Sequence, residues 1–166
     1  SYFDKGKGLY EWTKATLQDT TDCLYFDNMR LDGEIGRAKF AYNSGQMMQS
    51  ATLLYQLTGN KQYLEDAQAI AAACHNYFFT EFTPEQGEPF RMLKKGDVWF
   101  TAVMLRGFIE LYQADGNKVY LDSFTRSLDY AWAHAREENG LFNTDFTGKN
   151  RDKRKWLLTQ AAMVEM

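Results

Sequence analysis

The sequence predicts an all-α fold of stacked helical hairpins, as in helical solenoids and α/α toroids. Three observations support this prediction. First, the groups Leu-Tyr-Gln, Gly-Asn-Lys and Tyr-Leu occur at 54–56, 59–61 and 63–64 and recur at 111–113, 116–118 and 120–121. Second, apolar residues around each copy recur with the period of a helix. Third, the two helices beside each turn differ, because one is apolar nearly all round and the other has a polar face.

The repeated turn predicts two helix–helix hairpins. Gly59 lies where a helix end favours a left-handed residue, and Asn60 lies where the next helix favours an N-cap. The first hairpin therefore joins a helix at 43–57 to a helix carrying the apolar stripe from Tyr63 to Phe78. By the same reasoning, the second hairpin joins helices at about 97–114 and 118–138.

Further elements complete the prediction. A helix near 8–20 precedes the first hairpin and another begins near 152, which gives six helices in one domain spanning 1–166. The pair Asp32-Gly33 is a good turn, so residues 29–37 form either a small β-hairpin or an irregular loop. We expect no other strand long enough to matter.

Composition narrows the classes of partner. The 166 residues are 45% hydrophobic and 16% aromatic, and the net charge of −3 comes from interspersed charges of both signs. The only basic run, Arg151–Lys155, is predicted to be a solvated turn and lacks the one-sided stripe that phosphate backbones need. We therefore expect no nucleic-acid partner, and no apolar run is long enough for membrane insertion.

Loop lengths indicate where a ligand would bind. The turns at one end of the stack have three residues, whereas the connections at about 21–42, 79–96 and 139–151 are long. Acids, amides and aromatic rings in and beside these connections are typical of a carbohydrate cleft, since rings stack on sugar C–H faces and carboxylates accept from hydroxyls. The candidate substrate-binding residues are Asp27, Asp32, Tyr42, Asn43, Asp97 and Trp99.

Each candidate also has a structural interpretation. Asp27 and Asp32 are common turn formers, and Asp97 is a good N-cap for the helix that follows it. Asn43 is an alternative cap for its own helix, with Tyr42 buried beside it, while Trp99 is as compatible with a core position as with a stacking platform.

Cysteine and histidine positions indicate no metal or cofactor. Cys23 and Cys74 are far apart without metal-ligand spacing, which leaves a disulfide between them open. His75 and His134 are predicted to lie isolated in the middle of helices, where neither resembles a ligand or a base.

The segment AYNSGQMMQSATLLYQLTGNKQYLEDAQAIA, from Ala41 onwards, resembles a repeat of glycoside hydrolase family 76, which is typified by endo-α-1,6-mannanases. CLYFDNMRLDGEI resembles the loop before that family's Tyr-Asn helix, and LLTQAAMVEM resembles its last or penultimate helix. The resemblance covers about Leu9 to Met166. It implies an (α/α)6 toroid, of which this chain, with six to seven helices, would be about the C-terminal half.

The resemblance also implies a function. The family's catalytic pair is two adjacent aspartates in the N-terminal half, and this chain contains no Asp-Asp dipeptide. Its catalytic residues are therefore expected upstream, and the chain alone is expected to be inactive. The implied partner is α-mannan or a related polysaccharide, outside the cell, and the exposed end helices leave self-association open. The alternative is a non-catalytic helical-repeat module that binds a glycan or a protein on its long-loop face.

Overall fold

A computed structural model describes residues 1–166 and contains six helices and two small antiparallel sheets. The helices are α1 (Tyr2–Leu17), α2 (Ala41–Thr58), α3 (Lys61–Phe78), α4 (Val98–Asp115), α5 (Val119–His134) and α6 (Leu157–Glu165). The strands are β1 (Asn28–Met29), β2 (Ile35–Gly36), β3 (Phe79–Phe82) and β4 (Phe90–Leu93). The prediction of a mainly helical chain with six helices is confirmed.

The two short turns have the predicted geometry. Gly59 and Gly116 follow α2 and α4 with φ of 69° and 71°, which is the left-handed conformation that glycine adopts without strain. Asn60 Oδ1 then accepts from the backbone N–H of Gln62 at 3.1 Å, and Asn117 Oδ1 accepts from Val119 at 3.2 Å. The first turn therefore satisfies both helix ends within three residues, as the repeat indicated. The second differs in one respect, because the N-cap position of α5 belongs to Lys118, whose side chain makes no capping hydrogen bond.

The apolar helices α2 and α4 pack directly against each other and form the inner layer with α6, which packs on α4. Their backbones almost touch: a Cβ at Gly45 would lie 2.5 Å from Met104 Cα, and a Cβ at Gly107 would lie 2.4 Å from the Gly45 carbonyl oxygen. Only glycine permits this approach. Met48 and Met104 are fully buried in the core beside this crossing.

One β-hairpin was expected as an option and another was missed. The first, β1–β2, pairs Met29 with Ile35 around a turn in which Gly33 has a φ of 88°. The second, β3–β4, pairs Phe79 with Leu93 and Phe82 with Phe90, so the expectation of no further strand was wrong. It forms because the apolar side chains of β4 are buried against α5, and each strand is too short to produce a clear alternating pattern.

Arg91 of β4 fixes this second hairpin to the end of α3. Its Nη2 donates to the carbonyl oxygens of His75 at 2.7 Å, Asn76 at 3.1 Å and Phe79 at 3.3 Å. These are carbonyls that a helix end leaves without intrahelical partners. The end of α3 therefore continues directly into β3.

The last connection is longer than predicted. The second helix of the second hairpin ends at His134 rather than near 138, and α6 begins at Leu157 rather than near 152. Buried Asn143 explains the early end, because its backbone N–H and its side-chain amide both donate to the carbonyl oxygen of Ala135 at 2.9 Å. His134 is consequently an exposed helix-end residue and not a mid-helix one.

The three long connections meet at one end of the stack. The ring of Phe40, from the first connection, lies 5.4 Å from that of Phe100 at the beginning of α4. The second connection forms one groove with the third, between Phe82 and residues 147–149. None of the helices combines the length and apolarity needed to cross a membrane.

Candidate functional site

The Asp27 carboxylate is held by three side chains at the end of the molecule where the long connections meet. The Tyr42 hydroxyl donates to Asp27 Oδ1 at 2.6 Å, and Asn43 Nδ2 donates to the same oxygen at 3.1 Å. Asn28 Nδ2 donates to Oδ2 at 2.7 Å. The hydrogen bond from Tyr42 is the main cause that holds the pKa of Asp27 below its ordinary value, and the same bond raises the pKa of Tyr42.

Local backbone structure explains why these side chains converge. The backbone N–H of Asp27 donates to the Gly36 carbonyl at 3.1 Å, which places the aspartate at the base of the β1–β2 hairpin. Because α2 begins at Ala41, Tyr42 and Asn43 both lie in its first turn. The N-cap position belongs to Phe40, so the interpretation of Asn43 as the helix cap was wrong, and its amide is free to bind Asp27.

Aromatic rings extend this cluster toward α4. The Tyr42 ring lies 4.6 Å from that of Phe100 and 6.3 Å from that of Trp99, measured between centroids. Trp99 remains 37% exposed, as does Phe40, whose ring also lies near that of Phe100. The surface therefore presents a carboxylate beside exposed aromatic faces, and these are groups able to accept hydrogen bonds from hydroxyls and to stack on apolar ring faces.

Two of the candidate acids have local structural partners instead. Asp97 is the N-cap of α4, and its Oδ1 accepts from the backbone N–H of Trp99 at 3.1 Å. Asp32 lies in the β1–β2 turn, where its Oδ1 accepts from the backbone N–H of Glu34 at 3.0 Å. The structure thus brings Asp27, Tyr42 and Asn43 together with Trp99 beside them, whereas Asp32 has no hydrogen bond to this cluster.

A groove of about 380 Å³ runs from this cluster between α1 and α2. Asp27 and Asn43 line one end, and Gln46 and Ser50 continue along α2. Tyr25 also lines the groove, and its buried hydroxyl has no hydrogen-bond partner. The sequence analysis missed these three groove residues, although Gln46 and Ser50 follow Asn43 at the spacing of one helix face.

The two histidines and the two cysteines lie outside this cluster. His75 Nε2 lies 2.8 Å from Ser123 Oγ, and burial lowers the pKa of this histidine. His134 stacks on Tyr130 with ring centroids 4.1 Å apart. Cys23 and Cys74 are both free thiols. No cluster of three or more His, Cys, Asp or Glu side chains is arranged to hold a metal ion.

Comparison with known proteins places the chain in a family. A model of glycosyl hydrolase family 76 matches residues 1–88. A crystal structure of a family 76 glycoside hydrolase from a bovine Bacteroides thetaiotaomicron strain is 38% identical, with a TM-score of 0.94 over 99% of this chain and 37% of that one. A family 76 mannosidase from Bacteroides thetaiotaomicron VPI-5482 is 37% identical, with a TM-score of 0.92 over 99% of this chain and 46% of that one.

A third structure is an α-1,6-mannanase from Salegentibacter sp. HEL1_6, 28% identical with a TM-score of 0.77 over 96% of this chain and 48% of that one. An inactive variant of that enzyme, with two adjacent aspartates replaced by asparagine, has been solved in complex with α-1,6-mannotriose. The present chain thus spans less than half the length of each of these structures. No curated protein sequence matches it.

Proposed function

Because the chain belongs to glycosyl hydrolase family 76, we propose that it forms part of an enzyme that hydrolyses α-1,6-mannan, and that the beginnings of α2 and α4 bind the glycan. The observation that carries this proposal is the Asp27 carboxylate, held ionised by Tyr42 and Asn43 beside exposed Trp99. Such a surface accepts hydrogen bonds from sugar hydroxyls and stacks on a sugar face.

The catalytic carboxylates of this enzyme lie, in the proposal, upstream of the present chain. Glycoside hydrolysis requires two carboxylates, one acting as acid or base and the other as nucleophile or base. The inactive Salegentibacter variant replaces two adjacent aspartates, and the present chain contains no Asp-Asp pair. The chain would then correspond to about half of an (α/α)6 toroid, in keeping with the fraction of its relatives that it spans.

The proposal also accounts for exposed apolar side chains on the first and last helices, α1 and α6. Leu9 and Trp12 on α1, and Leu157 and Val164 on α6, are exposed. In the complete enzyme, the remaining helices of the toroid would cover them, and in the isolated chain a second copy would do so. Polymeric mannan lies outside the cell, so the proposed place of action is secreted, periplasmic or at the cell surface.

Two measurements test the proposal. Reducing ends released from α-1,6-mannan are compared between the 166-residue chain and a form extended upstream by about 180 residues, the missing half estimated from helix geometry. We expect only the longer form to be active. Hydrolysis by the short chain would refute the upstream placement and make Asp27 the first residue to mutate.

Binding of α-1,6-mannotriose tests the site itself. We expect Trp99→Ala and Asp27→Asn each to weaken binding by the extended form about tenfold or more, the loss of one stacking or charge-assisted contact. Trp132→Ala is the matched control, because Trp132 is an exposed tryptophan on α5 that has no contact with the Asp27 cluster. Equal losses from Trp99 and Trp132 would contradict the assignment, and binding without hydrolysis by any form would favour a non-catalytic glycan-binding module.

A further inference from the structure

The basic loop, residues 151–155, borders a cavity of about 430 Å³ at the beginning of α6. Four of its five side chains are cationic, and all four line this cavity: Arg151, Lys153, Arg154 and Lys155. The ring of Trp156 lies at the same cavity and is 58% exposed. The sequence interpretation of a solvated turn does not account for this concentration of like charge around one cavity.

The ion pairs of the loop leave positive charge uncompensated. Arg151 Nη1 lies 2.7 Å from Glu137 Oε2, and Lys155 Nζ lies 3.0 Å from Glu137 Oε1. One carboxylate therefore serves two cations. Lys153 and Arg154 are exposed and form no ion pair or hydrogen bond. With Asp152 the only acid in the loop, two positive charges remain in excess at the cavity.

The loop is held in place by buried polar groups. Buried Asn143 accepts from the backbone N–H of Asp152 at 2.7 Å and also from the ammonium of Lys155. The Asp152 carboxylate is turned inward, where Oδ2 accepts from the Thr144 N–H at 2.6 Å and Oδ1 from its hydroxyl at 3.0 Å. The single acid of the loop is thus occupied, and the cations are presented by a fixed backbone.

The cavity lies at the same end of the stack as the Asp27 cluster. The helices α3 and α5 run antiparallel to α2 and α4. As a result, α2, α4 and α6 all begin at the end where the long connections meet. The helix α6 begins at Leu157 without a side-chain cap, so its free N–H groups add to the positive potential that the side chains create. Because α6 packs on α4, the basic loop lies beside the helix whose beginning carries Trp99.

We propose that Lys153, Arg154 and Trp156 form a binding site for an anionic group carried by a sugar, a carboxylate or a phosphate ester. Lys153 and Arg154 pair with the anion, and Trp156 stacks on the ring that bears it. The inference rests on the proposed function, because it treats the cavity as a continuation of the glycan cleft. It assigns to this chain a preference for acidic over neutral glycan substituents.

The test is a titration of the ¹⁵N-labelled 166-residue chain, followed by NMR at low ionic strength. The probes are mannose 6-phosphate, glucuronic acid, mannose and inorganic phosphate, and the two acidic sugars distinguish the two sources of the anion. We expect at least one acidic sugar to bind about tenfold tighter than mannose, the gain from one charge-assisted contact. The shifts should fall on residues 151–160 and on the Trp156 indole.

A double variant, Lys153→Gln with Arg154→Gln, should abolish this preference for the acidic sugars over mannose. Lys5→Gln with Lys61→Gln is the matched control, because it removes the same charge from exposed lysines that form no ion pair. The proposal is overturned if the preference survives in the first variant, if the control loses it equally, or if inorganic phosphate binds as tightly as the acidic sugars. Tighter binding of a single-stranded oligonucleotide would also overturn it. Titration with α-1,6-mannotriose reports separately on the proposed function, since its neutral rings do not require the basic loop.

Discussion

Replacing Gly45 by alanine should destabilise the protein, although alanine ordinarily favours a helix. The added Cβ would lie 2.5 Å from Met104 Cα and 3.1 Å from Met104 N, so it meets backbone that has no alternative rotamer. Ordinary van der Waals contact begins near 3.4 Å, and α2 and α4 would have to separate by about 1 Å at their crossing.

The magnitude follows from two opposing terms. Overpacking a core costs about 1–3 kcal/mol, and a clash with backbone belongs at the upper end of that range. Replacing an interior helical glycine by alanine returns about 1 kcal/mol of helix propensity. We therefore expect Gly45→Ala to lower the free energy of unfolding by about 2 kcal/mol.

Gly8→Ala is the matched control. Gly8 lies inside α1, and a Cβ there meets no atom within 4 Å. This variant should raise the free energy of unfolding by about 1 kcal/mol, because only the propensity term applies. Urea denaturation of both variants and the parent, with the m-value unchanged, measures the difference. A Gly45→Ala protein as stable as the parent would refute the close approach of α2 and α4.

Three further variants test other contacts. Tyr42→Phe should raise the pKa of Asp27 toward its ordinary value, measured by carboxyl ¹³C NMR, and no change would mean that this hydroxyl does not stabilise the carboxylate. His75 has a lowered pKa in the folded state, so the unfolded state binds more protons and stability should fall as pH drops below about 6.5. In His75→Gln, urea midpoints at pH 7.5 and 5.5 should lose this part of the difference, and an unaltered pH dependence would exclude His75 as its source. Asn143→Ala should cost about 2–3 kcal/mol of unfolding free energy, since it leaves buried partners unpaired, and a loss below 1 kcal/mol would contradict its role in holding the basic loop.

Local signals in the sequence were sufficient for the helical hairpins. Gly59 and Asn60 predicted both helix ends of the first short turn because each acts through its own backbone or its immediate neighbours. Because these signals are local, they could not predict features that depend on residues distant in the sequence. The end of α5 at His134 depends on Asn143, which reaches back to Ala135 from the following loop. A propensity pattern contains no information about such a contact.

The site shows a similar division. Asp27, Tyr42 and Asn43 were predicted as candidates because polar and aromatic side chains in long connections often bind ligands. That Tyr42 and Asn43 both donate to Asp27 Oδ1 depends on the pairing of β1 with β2, which the sequence pattern does not specify. Asp32 and Asp97 have the same side chain as Asp27, yet each accepts from the backbone two residues ahead. Sequence identifies residues able to bind a sugar, and only the tertiary arrangement shows which of them meet in one cluster.

The β3–β4 hairpin has a geometric consequence for the whole assembly. It occupies space between the outer helices α3 and α5 at the end where the long connections meet, while Gly45 and Gly107 let the inner helices nearly touch. The helical layers are thus spaced more widely on the outer side than on the inner side, which makes the pair of hairpins wedge-shaped. We expect this wedge to supply curvature of the kind that the proposed toroid requires, and shortening the β3–β4 hairpin should flatten it without altering any residue proposed to bind the glycan.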